Sequence, residues 1–157
     1  MRTWSSLGRR RRTVIALLAM AAPPALFLTT PVSAQEAPVR VIVNGKNPVA
    51  ALARDELSKL FLKKVAAWQT GEIVVPVDQA EDTEVRKVFS KRVLGKDVAA
   101  VKGYWQQAIF TGRSFPPVEK ATDADVIAFV AANPNAIGYV TAAAELPATV
   151  KVLKVEP

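Results

Sequence analysis

Cysteine and histidine are both missing from the 157 residues, and each absence removes a class of chemistry. Without cysteine there is no disulfide to staple the fold, so stability must come from packing. Without histidine there is no Ser-His triad, no histidine-ligated zinc and no side chain whose ordinary pKa lies near neutrality. Carboxylates, lysines and tyrosines remain for acid-base work, but no spaced carboxylate pair stands out. The composition therefore favours a non-catalytic protein without a cofactor or metal.

Acidic residues are absent from the first 34 positions, and what stands there is an export signal in outline. Arg2 and the run Arg9 to Arg12 form a basic start, Val14 to Leu28 an apolar stretch, and Val32-Ser33-Ala34 a small-residue cleavage site. Pro23-Pro24 splits the apolar run, which falls short of the ~20 residues needed to span a bilayer. Residues 1 to 34 thus read as a signal peptide cleaved after Ala34, which implies a periplasmic protein with no membrane span after cleavage. Arg11-Arg12-Thr13-Val14-Ile15 also resembles a twin-arginine signal, and export through the general secretion channel fits equally well.

Removing the leader changes the charge argument. All 14 acidic residues lie after Ala34 but only 16 of the 21 basic ones do, so the mature chain has a net charge of +2. A near-neutral domain lacks the clustered basic surface needed to displace counterions from nucleic acid, so no nucleic-acid partner is expected. The remaining segment, 35–157, suits one domain with its own core.

Along that segment, strand-like and helix-like patterns alternate. Val39 to Val43 is a β-branched run ended by Asn44-Gly45 and Asn47-Pro48. Leu57, Leu60 and Phe61 then mark a helix over about 54–62. Ile73 to Val77 reads as a second strand, with Pro76 near its end or on an edge because proline cannot donate to a ladder. Val85, Val88, Phe89 and Val93 form a helical stripe ended by Gly95, and Arg86, Lys87, Lys91 and Arg92 fall mostly on a solvated face. Asp97 opens a third helix with Val98, Val101, Trp105, Ala108 and Ile109 in phase, and residues 110–118 form a loop. Thr122 and Asp125 resemble a capping pair before a fourth helix, which Asn133-Pro134 stops. Ile137 to Val140 and Val150 to Val155 complete the strands. The expectation is α/β: a mixed sheet of about four short strands flanked by helices.

Four phrases, in order, resemble the type II periplasmic binding proteins, specifically the phosphate-binding proteins of ABC uptake systems: "VIVNGKNPVAAL", "DELSKLFLKKVAAW", "VVPVDQAEDTEVRKVF" and "NAIGYV". The likeness runs over about residues 39 to 140. It implies a solute-binding-like module, with a small oxyanion such as phosphate as ligand and an envelope or transporter protein as partner. Such proteins have two lobes closing on a ligand, whereas residues 35–157 supply material for about one.

That resemblance also locates a candidate ligand site. In the phosphate-binding relatives an Arg is followed, after three intervening residues, by Ser-Gly-Thr opening a helix. Aligning on Phe89 puts Gln79 at the Arg position and Thr83-Glu84-Val85 at Ser-Gly-Thr. The candidate ligand-binding residues are therefore Thr83, Glu84, Val85 and Arg86, with Arg113 in the following loop as a second charge. A plain reading competes: Asp82 or Thr83 is a helix N-cap, and Arg86 pairs with Asp82 at i−4. A helix start favours an anion by roughly 0.3 to 1 kcal/mol. One carboxylate about 6 Å away costs an anion about 0.7 kcal/mol in water and about 3 at an effective dielectric near 20. Glu81, Asp82 and Glu84 together can outweigh the helix end, and the alternative function is an envelope interaction or accessory module that has lost its ligand.

Overall fold

The computed structural model describes residues 39–157, so the leader expected over 1–34 lies outside the described residues. A six-stranded mixed sheet runs in the order β2-β6-β1-β5-β3-β4. Its strands are β1 (Val39–Asn44), β2 (Ala51–Ala53), β3 (Val75–Gln79), β4 (Val118–Lys120), β5 (Ala136–Thr141) and β6 (Val150–Glu156). The helices are α1 (Arg54–Phe61), α2 (Glu84–Phe89), α3 (Val98–Phe110) and α4 (Asp123–Ala132), and α2 continues as a π-helical turn over Ser90–Leu94.

Period-two alternation along β1 and β5 divides the core into two layers. Val41, Val43, Ile137 and Tyr139 face one way, against Leu57 and Phe61 of α1, Phe89 of α2, and Val101 and Trp105 of α3. Ile42, Ala136 and Val140 face the other way, against Val126 and Val130 of α4. Phe89 stacks on Tyr139 with ring centroids 3.8 Å apart and planes 4° apart, and Phe61 tilts against Phe89 at 4.7 Å. Gly138 lets α4 approach the sheet, since a Cβ there would lie 2.7 Å from side-chain carbons of both Val126 and Val77.

Helix ends follow their sequence signals. Thr83, Asp97 and Thr122 each accept a hydrogen bond from the backbone N–H three residues on, and Gly95 ends the π turn with φ +64°.

Three expectations are corrected. The sheet has six strands rather than about four, because β2 and β4 are only three residues long and leave no readable alternation. β3 begins two residues later than the apolar run, with Ile73 71% exposed, and continues through buried Asp78 and Gln79. α3 runs through Phe110, one residue into the expected loop, and Ile109, expected in its apolar stripe, is 47% exposed.

Candidate functional site

β3 lies between β5 and β4 and runs parallel to both. In open α/β sheets a crevice outside the carboxyl ends of such strands is where ligands bind. After Gln79 the chain turns sharply: the Thr83 amide donates to the Ala80 carbonyl at 3.1 Å, and the Thr83 hydroxyl donates to it at 2.8 Å. That turn folds the first turn of α2 back over the end of β3, and Arg86 is carried inward with it.

Arg86 is consequently buried, and its guanidinium forms an ion pair with Asp78 of β3. The Tyr139 hydroxyl, contributed by β5, donates to the Asp78 carboxylate and lies 3.4 Å from Arg86 Nη1. The Gln79 amide N–H donates to Asp78 Oδ1 at 3.0 Å. Burial lowers the pKa of Arg86 from its usual value, opposed by Tyr139 and by Glu119 of β4. Burial pushes the Tyr139 phenol up to about 12, opposed by the Arg86 charge and the Gln79 N–H. The expected Asp82 partner at i−4 is therefore replaced by Asp78, and Arg86 is not on the solvated face assigned to it.

The Asp78–Arg86 pair lines a cleft of about 240 Å³ together with Glu81, Lys102, Trp105, Gln106, Ile109, Pro116, Pro117 and Glu119. At its mouth Lys102 of α3 reaches Glu81 at 2.8 Å, and that hydrogen bond raises the lysine pKa. Among the lining residues three carboxylates face two cations.

The other candidates fall elsewhere. Thr83 is the N-cap of α2, its Oγ1 accepting from the Arg86 amide at 3.3 Å. Glu84, at the position aligned with glycine, points outward and pairs with Lys87 at 2.6 Å. Val85 is core. Arg113 lines a separate groove with Lys63, Tyr104 and Gln107, so Arg86 and Arg113 are not brought together. Gln79, aligned with the relatives' arginine, turns into the fold: its Nε2 donates to Asp123 Oδ1 at 2.7 Å and to the Tyr139 carbonyl at 3.0 Å.

Sequence reasoning missed Asp78, Glu119 and Lys102 as parts of this cleft. One signal was present for the pair: Arg86 is in helical phase with Phe89 and Val93, at the edge of the apolar stripe.

A family model for the PBP superfamily domain matches residues 31–155, most of the chain. The chain belongs to the PBP superfamily. No curated protein matches it. Among solved structures, it is similar to a protein assigned as a phosphate ABC transporter substrate-binding protein, with bound phosphate, from Clostridium perfringens (TM-score 0.61, 18% identity, 76% of this chain and 45% of that one). An ABC-type phosphate transport receptor from Vibrio cholerae gives 0.60 at 16% identity, with 76% and 46% coverage. PstS from Borrelia burgdorferi gives 0.60 at 11% identity, with 76% and 47%. At these identities the likeness is one of fold, and this PBP-superfamily chain spans less than half the length of each neighbour. Among the described residues no helix is long and apolar enough to cross a membrane.

Proposed function

We propose that this PBP-superfamily chain is an exported, non-catalytic binding module that works by contact with a protein partner in the envelope. The observation that carries this reading is the Arg86–Asp78 pair: the cation at the helix start already has a buried carboxylate. A phosphate entering the cleft would meet Asp78, Glu81 and Glu119, with only Arg86 and Lys102 to offset them. At an effective dielectric near 20, each uncompensated carboxylate about 6 Å away costs an entering monoanion about 3 kcal/mol, more than a helix start returns. Cross-linking in intact cells followed by recovery of the chain tests the reading. A protein cross-linked to the chain should be captured, and a chain recovered with nothing cross-linked to it would count against the reading.

A second reading, capture of a small oxyanion such as phosphate in the same cleft, draws on one specific feature. Arg86 Nε is buried and has no acceptor among the described residues, and a buried unpaired donor favours an oxygen ligand. The phosphate named in the neighbouring structures points the same way. Calorimetry with phosphate and sulfate separates the readings, with Lys102→Ala as a variant that leaves the buried pair intact.

A further inference from the structure

Next along the chain to Ile109, Pro116 and Pro117 of the cleft lie exposed apolar side chains that the core does not use, here called the rim. Ile109 is 47% exposed, Phe110 92%, Phe115 70% and Val118 46%. Ile109 also lines the cleft beside Pro116 and Pro117, so the rim meets the cleft at Ile109. The buried face of α3 consists of Val101, Trp105 and Ala108. Phe110 lies off that face, and a polar residue there would serve the fold as well.

We propose that this rim is the contact face for a second copy of the chain, giving a two-fold symmetric dimer. The proposal rests on the protein-contact reading above and names the partner. Area supports it. With aromatic side chains hiding about 200 Å² each when buried, the two rings and the half-exposed Ile109 and Val118 offer roughly 450 Å². That is the size of a large apolar patch on a monomer, and a little over half of the ~800 Å² each partner hides in a standard interface, close to the apolar share such interfaces have.

Charge supports the same occupant. Lys102 lines the cleft beside the rim with Glu81, its ion-pair partner, and with Glu119, so the face carries both signs and can meet opposite charge on a second copy under two-fold symmetry. A strongly acidic or basic partner would meet like charge on part of it. β4 is the sheet's edge, but it is three residues long and follows two prolines, so docking proceeds through side chains rather than an added strand.

Light scattering and sedimentation on the processed chain test this. Interfaces of standard size bind at micromolar or tighter, so at ~100 μM the native chain should run at twice its monomer mass. Phe110→Asp with Phe115→Asp should give a monomer with unchanged circular dichroism and thermal midpoint. Ile73→Asp, at an exposed apolar site away from the rim, should leave the dimer intact. A native monomer at ~100 μM overturns the proposal, as does a dimer that survives the double variant or is split by Ile73→Asp. A native monomer whose rim variants lose a cross-linked envelope protein overturns the dimer and keeps the protein-contact reading; a native monomer that binds phosphate saturably overturns both.

Discussion

Asp78→Ala strips the carboxylate from beneath Arg86 and leaves a guanidinium buried without its counter-ion. Both residues are 5% exposed, so water does not readily replace what is lost. Removing one partner of a buried pair costs about 3 to 5 kcal/mol. The Tyr139 hydroxyl and the Gln79 amide lose an acceptor at the same time. Removing both charges with Asp78→Leu and Arg86→Met avoids the stranded cation, and should cost only about 1 to 3 kcal/mol, for the donors left unpaired. Asp78→Asn, which keeps an acceptor for Tyr139, covers the case in which Asp78→Ala fails to fold. Urea unfolding gives the ordering through midpoints at constant m-value. The same variants expose the site's latent chemistry, because Arg86 without Asp78 is an uncompensated cation in a cleft. Phosphate at 100 times its dissociation constant should then stabilise Asp78→Asn by about 2.7 kcal/mol while leaving the native chain unchanged. Two results refute the reasoning: a loss under about 1 kcal/mol for Asp78→Ala, well below the range for a broken buried pair, or equal phosphate stabilisation of native and variant chains.

Other predictions concern the fold, pH and export. Gly138→Ala drives a Cβ to 2.7 Å from Val126 and Val77, and should lower stability by about 1 to 3 kcal/mol in the same urea assay. Tyr139 has a folded pKa raised to about 12 from the usual 10, so its contribution is fully present below pH 10 and is lost as pH rises through the folded value. That difference of about two units amounts to about 2 to 3 kcal/mol, read as the gap between native and Tyr139→Phe unfolding curves closing between about pH 10 and 12. N-terminal sequencing of the exported chain should find Gln35 first, and an intact leader in the recovered protein would contradict export by cleavage after Ala34.

Much of the scaffold was legible where the pattern is local. The β-branched run of β1, the spacing of Leu57, Leu60 and Phe61, and the caps at Thr83, Asp97 and Thr122 are near-neighbour signals, and each element formed where it was expected. β2 and β4 exist through their partners: Leu52 pairs with Val155 and Val118 with Val77, contacts no three-residue window can announce. The π turn at Ser90–Leu94 had no signal that periodicity would register.

The site was legible in part. Thr83 was visible as a cap because capping is a three-residue interaction. For Arg86, helical spacing offers Asp82 as partner, whereas the tight turn at Ala80 delivers Asp78 from the preceding strand. Buried Asp78 and Gln79 extend β3 although their polarity suits a loop, because Tyr139 and Asp123 from distant elements satisfy them.

The central claim is that Arg86 is held by Asp78 and is not offered to a free anion. Isothermal titration of the native processed chain with inorganic phosphate tests it most directly. The account predicts no saturable heat up to millimolar phosphate. A saturable isotherm with a micromolar dissociation constant, weakened by Lys102→Ala, would contradict it.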